Sequence, residues 1–160
     1  MRGDSHGFTL VEVMVVALFL GIVAAVAVPS LNNTFDEMKL NGAAREVVSA
    51  IQYAQSLSIR EGKSFGVSFN KVHNRFNVKE DIATDPVLHP VDKKPYEILF
   101  KKEGPFQGVN IRNIVFGVIG SSVYFNSLGE VDKAGYVILV FGDFEKTINV
   151  SLPLGKISVN

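Results

Sequence analysis

The sequence predicts an α+β fold: a long N-terminal helix, transmembrane in its first half and amphipathic in its second, packed on an antiparallel β-sandwich-like domain. Three observations predict it. An apolar run extends from Phe8 to Val28, apolar residues then recur at helical spacing from Leu40 to Ala54, and after Gly62 the period changes to two over several short segments.

The first run is 21 residues long, and Glu12 is its only ionisable side chain. About 20 apolar residues span a bilayer as a helix. A carboxylate inside such a segment is costly unless paired or drawn toward an interface, so Glu12 asks for a positive partner. Thr9 and Glu12 also stand at the spacing of a capping box, which satisfies backbone donors at a helix start. That role is compatible with pairing. Ala25-Val26-Ala27 fits a secretory signal cut before Val28, although the run is long for one and contains Glu12. A plain anchor for an enzyme gives Glu12 no use. Arg2 and the initiator amine precede the run, partly offset by Asp4, and Asp36 and Glu37 follow it. That slight bias keeps the N-terminus cytoplasmic and sends the rest across.

Pro29 is expected to interrupt the helix and kink it. Beyond it Leu40, Ala44, Val47, Ile51 and Ala54 form one apolar stripe, and Gly62 is a natural C-terminal stop. A helix from Phe8 to Glu61 would make a rod of about 80 Å. Phe65, Val67 and Phe69 alternate with small residues, 70–74 reads as a turn, and Phe76 with Val78 completes a hairpin. Residues 81–95 hold three prolines and read as a loop. Further strands are expected at 96–100, 109–111, 114–118, 123–126, 136–141, 147–152 and 156–159, separated by glycine or proline turns.

Lys plus Arg is 16 and Asp plus Glu is 16, so the chain is neutral and gives no support for a polyanion as main partner. Without cysteine there is no disulfide and no thiol chemistry. No nucleophile elbow, metal-ligand pair on a helix or phosphate loop is present, so neither an enzyme nor a cofactor is expected. Asp81, Asp85, His89 and Asp92 lack the alternation of a calcium loop and read as a solvated loop; no metal is expected. Lys93, Lys94, Lys101 and Lys102 form a modest basic cluster on what reads as a solvated face.

Gly7, then Phe8, then Glu12 five residues after that glycine, then an apolar helix broken by Pro29, resembles the class III leader of type IV pilins and pseudopilins. The resemblance implies cleavage after Gly7 by a prepilin peptidase and methylation of the new terminus at Phe8. It also implies that Glu12 helps subunits enter a filament by neutralising a neighbour's terminal amine. Opposite charges attract strongly in low dielectric, so the physics agrees. Further on, residues 54–62 with the strand 65–69, and Val123-Tyr124-Phe125-Asn126-Ser127-Leu128-Gly129 with a closing Leu154-Gly155-Lys156-Ile157 turn, resemble the GspH/FimT branch of that superfamily. Gln55 stands where that branch usually has arginine.

The resemblance implies a leader 1–7, an assembly and transmembrane helix 8–29 carrying Thr9, Glu12 and Pro29, an amphipathic continuation 30–62 and a β domain 63–160. It implies a minor subunit of a type II secretion pseudopilus or type IV pilus, at the tip or in initiation. Its partners would be other minor and major pseudopilins or pilins, the prepilin peptidase, an inner-membrane assembly platform and, before assembly, the bilayer. Its location would be the inner membrane, single-pass, with the C-terminal domain periplasmic, and then the filament. The alternative is a FimT-like subunit that binds DNA during uptake, through a basic C-terminal turn of Gly-Arg-x-Arg type. Here that turn is Gly155-Lys156-Ile157-Ser158, so Lys156, with Lys101 and Lys102, would carry the binding. The loss of the second basic residue leaves nucleic acid outside the expected partners.

Overall fold

A computed structural model describes residues 9–100 and 104–160, with the backbone alone for 26–33. It has two compact units, the first ending at Phe35 and the second running Asp36–Asn160. The elements are one helix, α1 (Leu10–Glu61), and eight strands: β1 (Phe65–Asn70), β2 (Arg75–Glu80), β3 (Glu97–Leu99), β4 (Asn110–Phe116), β5 (Ser122–Phe125), β6 (Gly135–Phe141), β7 (Phe144–Ser151) and β8 (Lys156–Val159).

In the first unit the described side chains, residues 10–25, are exposed on every face of α1. The helix passes through Pro29 without a break, which corrects the expected interruption. A proline withdraws one backbone donor, and the bonds of neighbouring residues carry the helix past it. Among the described residues, no helix is long and apolar enough to cross a membrane. The expected segment 8–29 lies partly outside the described residues, which leave out Phe8 and the side chains of 26–29.

In the second unit the helical stripe is the core. Leu40, Val47, Ile51 and Ala54 are fully buried and Ala44 nearly so, joined by Ala43 and Ala50. α1 stops where expected. Gly62 takes φ +66°, a left-handed value, and its N–H donates to the Ser58 carbonyl at 3.0 Å. Ser58, buried, makes the corner into β1: its hydroxyl donates to Ala54 O at 2.9 Å and accepts from Phe65 N at 3.0 Å.

Two antiparallel four-stranded sheets enclose this stripe, in the orders β3-β2-β1-β5 and β4-β6-β7-β8. Val67 and Phe69 of β1 and Phe76 and Val78 of β2 turn inward into one core with Phe116, Phe125, Leu139 and Ile148. Burial at this scale, roughly 25 cal/mol per Å² of apolar surface, dominates the stability of such a unit.

The strands expected at 109–111 and 114–118 are one strand, β4. A register shift between Ile111 and Asn113 lets it continue past an extra residue, Arg112. Two polar residues at that bulge imitate a turn in the alternation. Val118 leaves the strand for a turn, more than nine-tenths exposed.

Asn74 holds the β1–β2 turn to both sheets. Its backbone takes φ +48°, a region asparagine tolerates better than most residues. Its side-chain amide donates to Phe100 O at 3.0 Å and Val109 O at 2.8 Å, and its Oδ1 accepts from Ile111 N at 2.8 Å. Asn74→Ala strands these half-buried groups. It should cost about 2–3 kcal/mol, read as a lower urea midpoint at unchanged m-value.

Candidate assembly surfaces

Thr9 stands just before α1, and its hydroxyl accepts the Glu12 N–H at 3.2 Å; the Val13 N–H reaches the Thr9 carbonyl at 3.3 Å. This is the forward half of the capping box. Glu12 lies in the first turn, where a carboxylate complements the helix dipole. Its side chain is exposed among exposed aliphatics such as Leu10, Val11, Val13 and Val16. Among the described residues the Glu12 carboxylate has no ion-pair or hydrogen-bond partner. The acid is held at the head of an apolar helix and left available.

In the second unit the end of α1 is clamped to two turns. Gln55 Nε2 donates to Gly129 O at 2.8 Å and to Leu154 O at 2.9 Å. Gly129 at φ +78° sits so close to Ile59 that a Cβ there would lie 2.7 Å from the Ile59 Cδ1. Gly155, at φ +64°, likewise abuts the Phe125 ring. One amide on α1 thereby positions the β5–β6 loop and the β7–β8 turn side by side, with Val131 N donating to Pro153 O at 2.9 Å. Ile59, Leu128 and Leu154 stand largely exposed around the clamp. Lys156, exposed, opens β8 on its flank.

A third cluster joins α1 to the loop before β3. Tyr96 is buried and donates its hydroxyl to Glu46 Oε1 at 3.3 Å. Tyr53 packs on its ring at 5.6 Å and donates to Leu88 O at 3.4 Å, and His89 meets the ring edge-on at 4.5 Å. Burial, and then the Glu46 charge, hold the Tyr96 phenol well above its usual 10.0.

Of the loop acids and histidine, His89 Nδ1 and Asp92 come together at 3.1 Å. No three such groups converge on a metal-sized site among the described residues. Gly7, Phe8, Lys101 and Lys102 lie outside the described residues, as does the Pro29 side chain. Thr9 and Glu12 are brought together at the helix start. Gln55 gave the one sequence signal of the clamp, as the residue standing where an arginine is usual; Asn74 and the Tyr96–Glu46 contact gave none.

Comparison with known proteins places this geometry. The prokaryotic N-terminal methylation motif matches residues 2–28. Type II secretion system protein H of Aeromonas hydrophila is 34% identical over 66 residues, 41% of this chain and 36% of that protein. A fimbrial protein of Pseudomonas aeruginosa is 33% identical over 98 residues, 61% of this chain and 62% of that protein. The chain thus spans between about a third and three fifths of the length of these curated relatives. Among solved structures, the minor pseudopilin EpsH from the type 2 secretion system of Vibrio cholerae superposes with a TM-score of 0.58 at 15% identity, over 76% of this chain and 96% of that one. The type IV minor pilin FimU of Pseudomonas aeruginosa gives 0.53 at 14%, over 78% and 90%. At such identities the likeness is one of fold: the chain shares the fold of these two proteins and carries the N-terminal methylation motif.

Two outcomes follow from the clamp and the phenol. Gln55→Leu, nearly isosteric, leaves two carbonyls without their donor and should cost about 1–3 kcal/mol, measured by thermal unfolding. For Tyr96 the folded state holds its proton more tightly than the unfolded state does. Its contribution is therefore fully present below pH 10.0 and is lost as pH rises beyond it. Tyr96→Phe should flatten the fall in stability above pH 10.0 relative to the parent.

Proposed function

We propose that this chain is a minor pseudopilin or minor pilin, a non-enzymatic subunit that enters a filament by its N-terminal helix and supports secretion or pilus assembly. The observation that carries this reading is the position of Glu12. It is the sole ionisable residue of the run from Phe8 to Val28, it lies inside the stretch matching the methylation motif, and its carboxylate at the helix head has no partner among the described residues.

Cleavage after Gly7 leaves Phe8 with a positive amine and no acid of its own. In an apolar bundle that amine and Glu12 are each expensive alone and attract strongly together. Paired between subunits, they set the stagger of the helices, while aliphatic burial holds the bundle. Before assembly the same run lies in the inner membrane, with the β domain on the periplasmic side. The likeness in fold to a minor pseudopilin and a minor pilin is consistent with a minor-subunit role; within the same proposal the subunit stands at the tip or acts in initiation, with other minor subunits, major subunits, a prepilin peptidase and an assembly platform as partners.

Intact-mass measurement of the chain purified from a host with the peptidase should give a methylated start at Phe8. Gly7→Val should abolish that processing, and a start at Val28 would make the run a discarded signal. Glu12→Ala should leave membrane insertion intact and reduce incorporation into filaments by at least tenfold, since about 1.4 kcal/mol of lost pairing suffices for that factor. Unimpaired incorporation would dismiss the pairing mechanism.

A further inference from the structure

Two sheets present four edges, and on three of them the chain's own groups take some of the outward backbone positions. On β4, the Asn74 amide takes Ile111 N and Val109 O, and Phe116 exchanges both backbone bonds with Gly120 at 2.9 Å. On β5, the Asp132 side chain accepts from Tyr124 N at 2.9 Å, and Asp132 N returns to Tyr124 O at 2.9 Å. β3 is three residues long, and its first N–H is taken by Pro95 O at 2.8 Å. Such devices keep edges from pairing with other chains.

β8, four residues long with Lys156 at its start, has no such bond among the described residues. Thr147 and Asn160 exchange both backbone bonds, at 2.9 and 3.0 Å. The register Asn149↔Ser158 and Ser151↔Lys156 continues that phase, so the backbone groups of Lys156, Ser158 and Asn160 point into β7. By the alternation of an antiparallel ladder, those of Ile157 and Val159 point out of the sheet. No backbone bond to either is formed beyond the β7 pairing among the described residues. Ile157 packs against the core, Val159 is 44% exposed, and Lys156 has no ion-pair partner among the described residues.

We infer that β8 pairs antiparallel with β8 of a second copy of this chain, about a two-fold axis at Ser158, to join two four-stranded sheets edge to edge. The register is self-complementary. Ile157 meets Val159 of the second copy as a bonded pair, and Val159 meets Ile157 as another, each exchanging two hydrogen bonds. The aliphatic side chains then share one face. Lys156 falls opposite Asn160 of the second copy, so no like charges oppose each other across the joint. Ser158 faces its own counterpart at a non-bonded position, where Cα atoms lie about 4.5 Å apart, within the roughly 4.4–6.8 Å of a disulfide. The joint requires neither cleavage at Gly7 nor a filament, so it stands or falls apart from the proposed function.

The chain has no cysteine, so a single introduced thiol reports one position. The full-length Ser158→Cys variant, in membranes of the expressing cell, should under mild oxidation form a disulfide-linked dimer on the order of tenfold faster than Ser121→Cys, because pairing raises the local thiol concentration. Ser121 is also exposed but precedes β5, in the other sheet, where its carbonyl accepts from Phe69 N. Adding Val159→Pro to Ser158→Cys removes an outward N–H that β7 does not use and should return the rate to that of Ser121→Cys. Equal rates for the two single-cysteine variants would overturn the inference, and so would linkage of Ser158→Cys only to a different protein. That comparison decides the matter even if the proline variant fails to fold.

Discussion

Everything in the second unit depends on how closely two sheets can approach one helix. The face α1 turns to them carries Leu40, Ala43, Ala44, Val47, Ala50, Ile51 and Ala54, all buried, and four of the seven are alanine. Alanine fills little volume and loses no side-chain entropy on burial. The large residues come from the strands: Phe69, Phe76, Phe116 and Phe125 project onto the narrow face, with Phe69 stacked on Phe116 at 5.8 Å and tilted against Phe76 at 5.8 Å. Small on the helix and large on the sheets is a division of volume that interiors at crystal-like density demand. A larger residue at Ala50 or Ala54 would push both sheets outward at once.

Much of this was legible in the sequence because it rests on period. The stripe from Leu40 to Ala54 follows the helical repeat, and the Phe65–Asn70 strand alternates at two, with only Tyr124 lying over Gly66 to disturb its outer face. Glu12 stood out for a different reason, as a charge in a place that penalises charge. The features that escaped notice have no period. The bulge in β4 turns on one extra residue, and Asn74 matters because three backbone groups from elsewhere converge on its amide. The Tyr96–Glu46 bond joins residues 50 positions apart. Contacts of that kind belong to the tertiary fold, and a single chain read in order carries no signal for them. Pro29 is the opposite case: a strong local rule that neighbouring helical bonds override.

The two ends of α1 illustrate different ways of using a polar side chain. At its start, the Thr9 hydroxyl accepts from the backbone, and the Glu12 carboxylate has no partner among the described residues. At its finish, the Ser58 hydroxyl bonds the corner into β1 and the Gln55 amide nitrogen bonds the carbonyls of Gly129 and Leu154. The bound end ties α1 to the corner and to two turns of the β domain, whereas the first turn presents an exposed carboxylate.

The packing of α1 against the sheets also has a mechanical meaning. A pull on the helix where it enters the second unit at Asp36 runs along its axis, parallel to the buried stripe. The seven side chains then resist sliding together, in shear, instead of peeling away one after another. The Gln55 clamp adds a latch at the far end. A unit built this way bears tension through its interior.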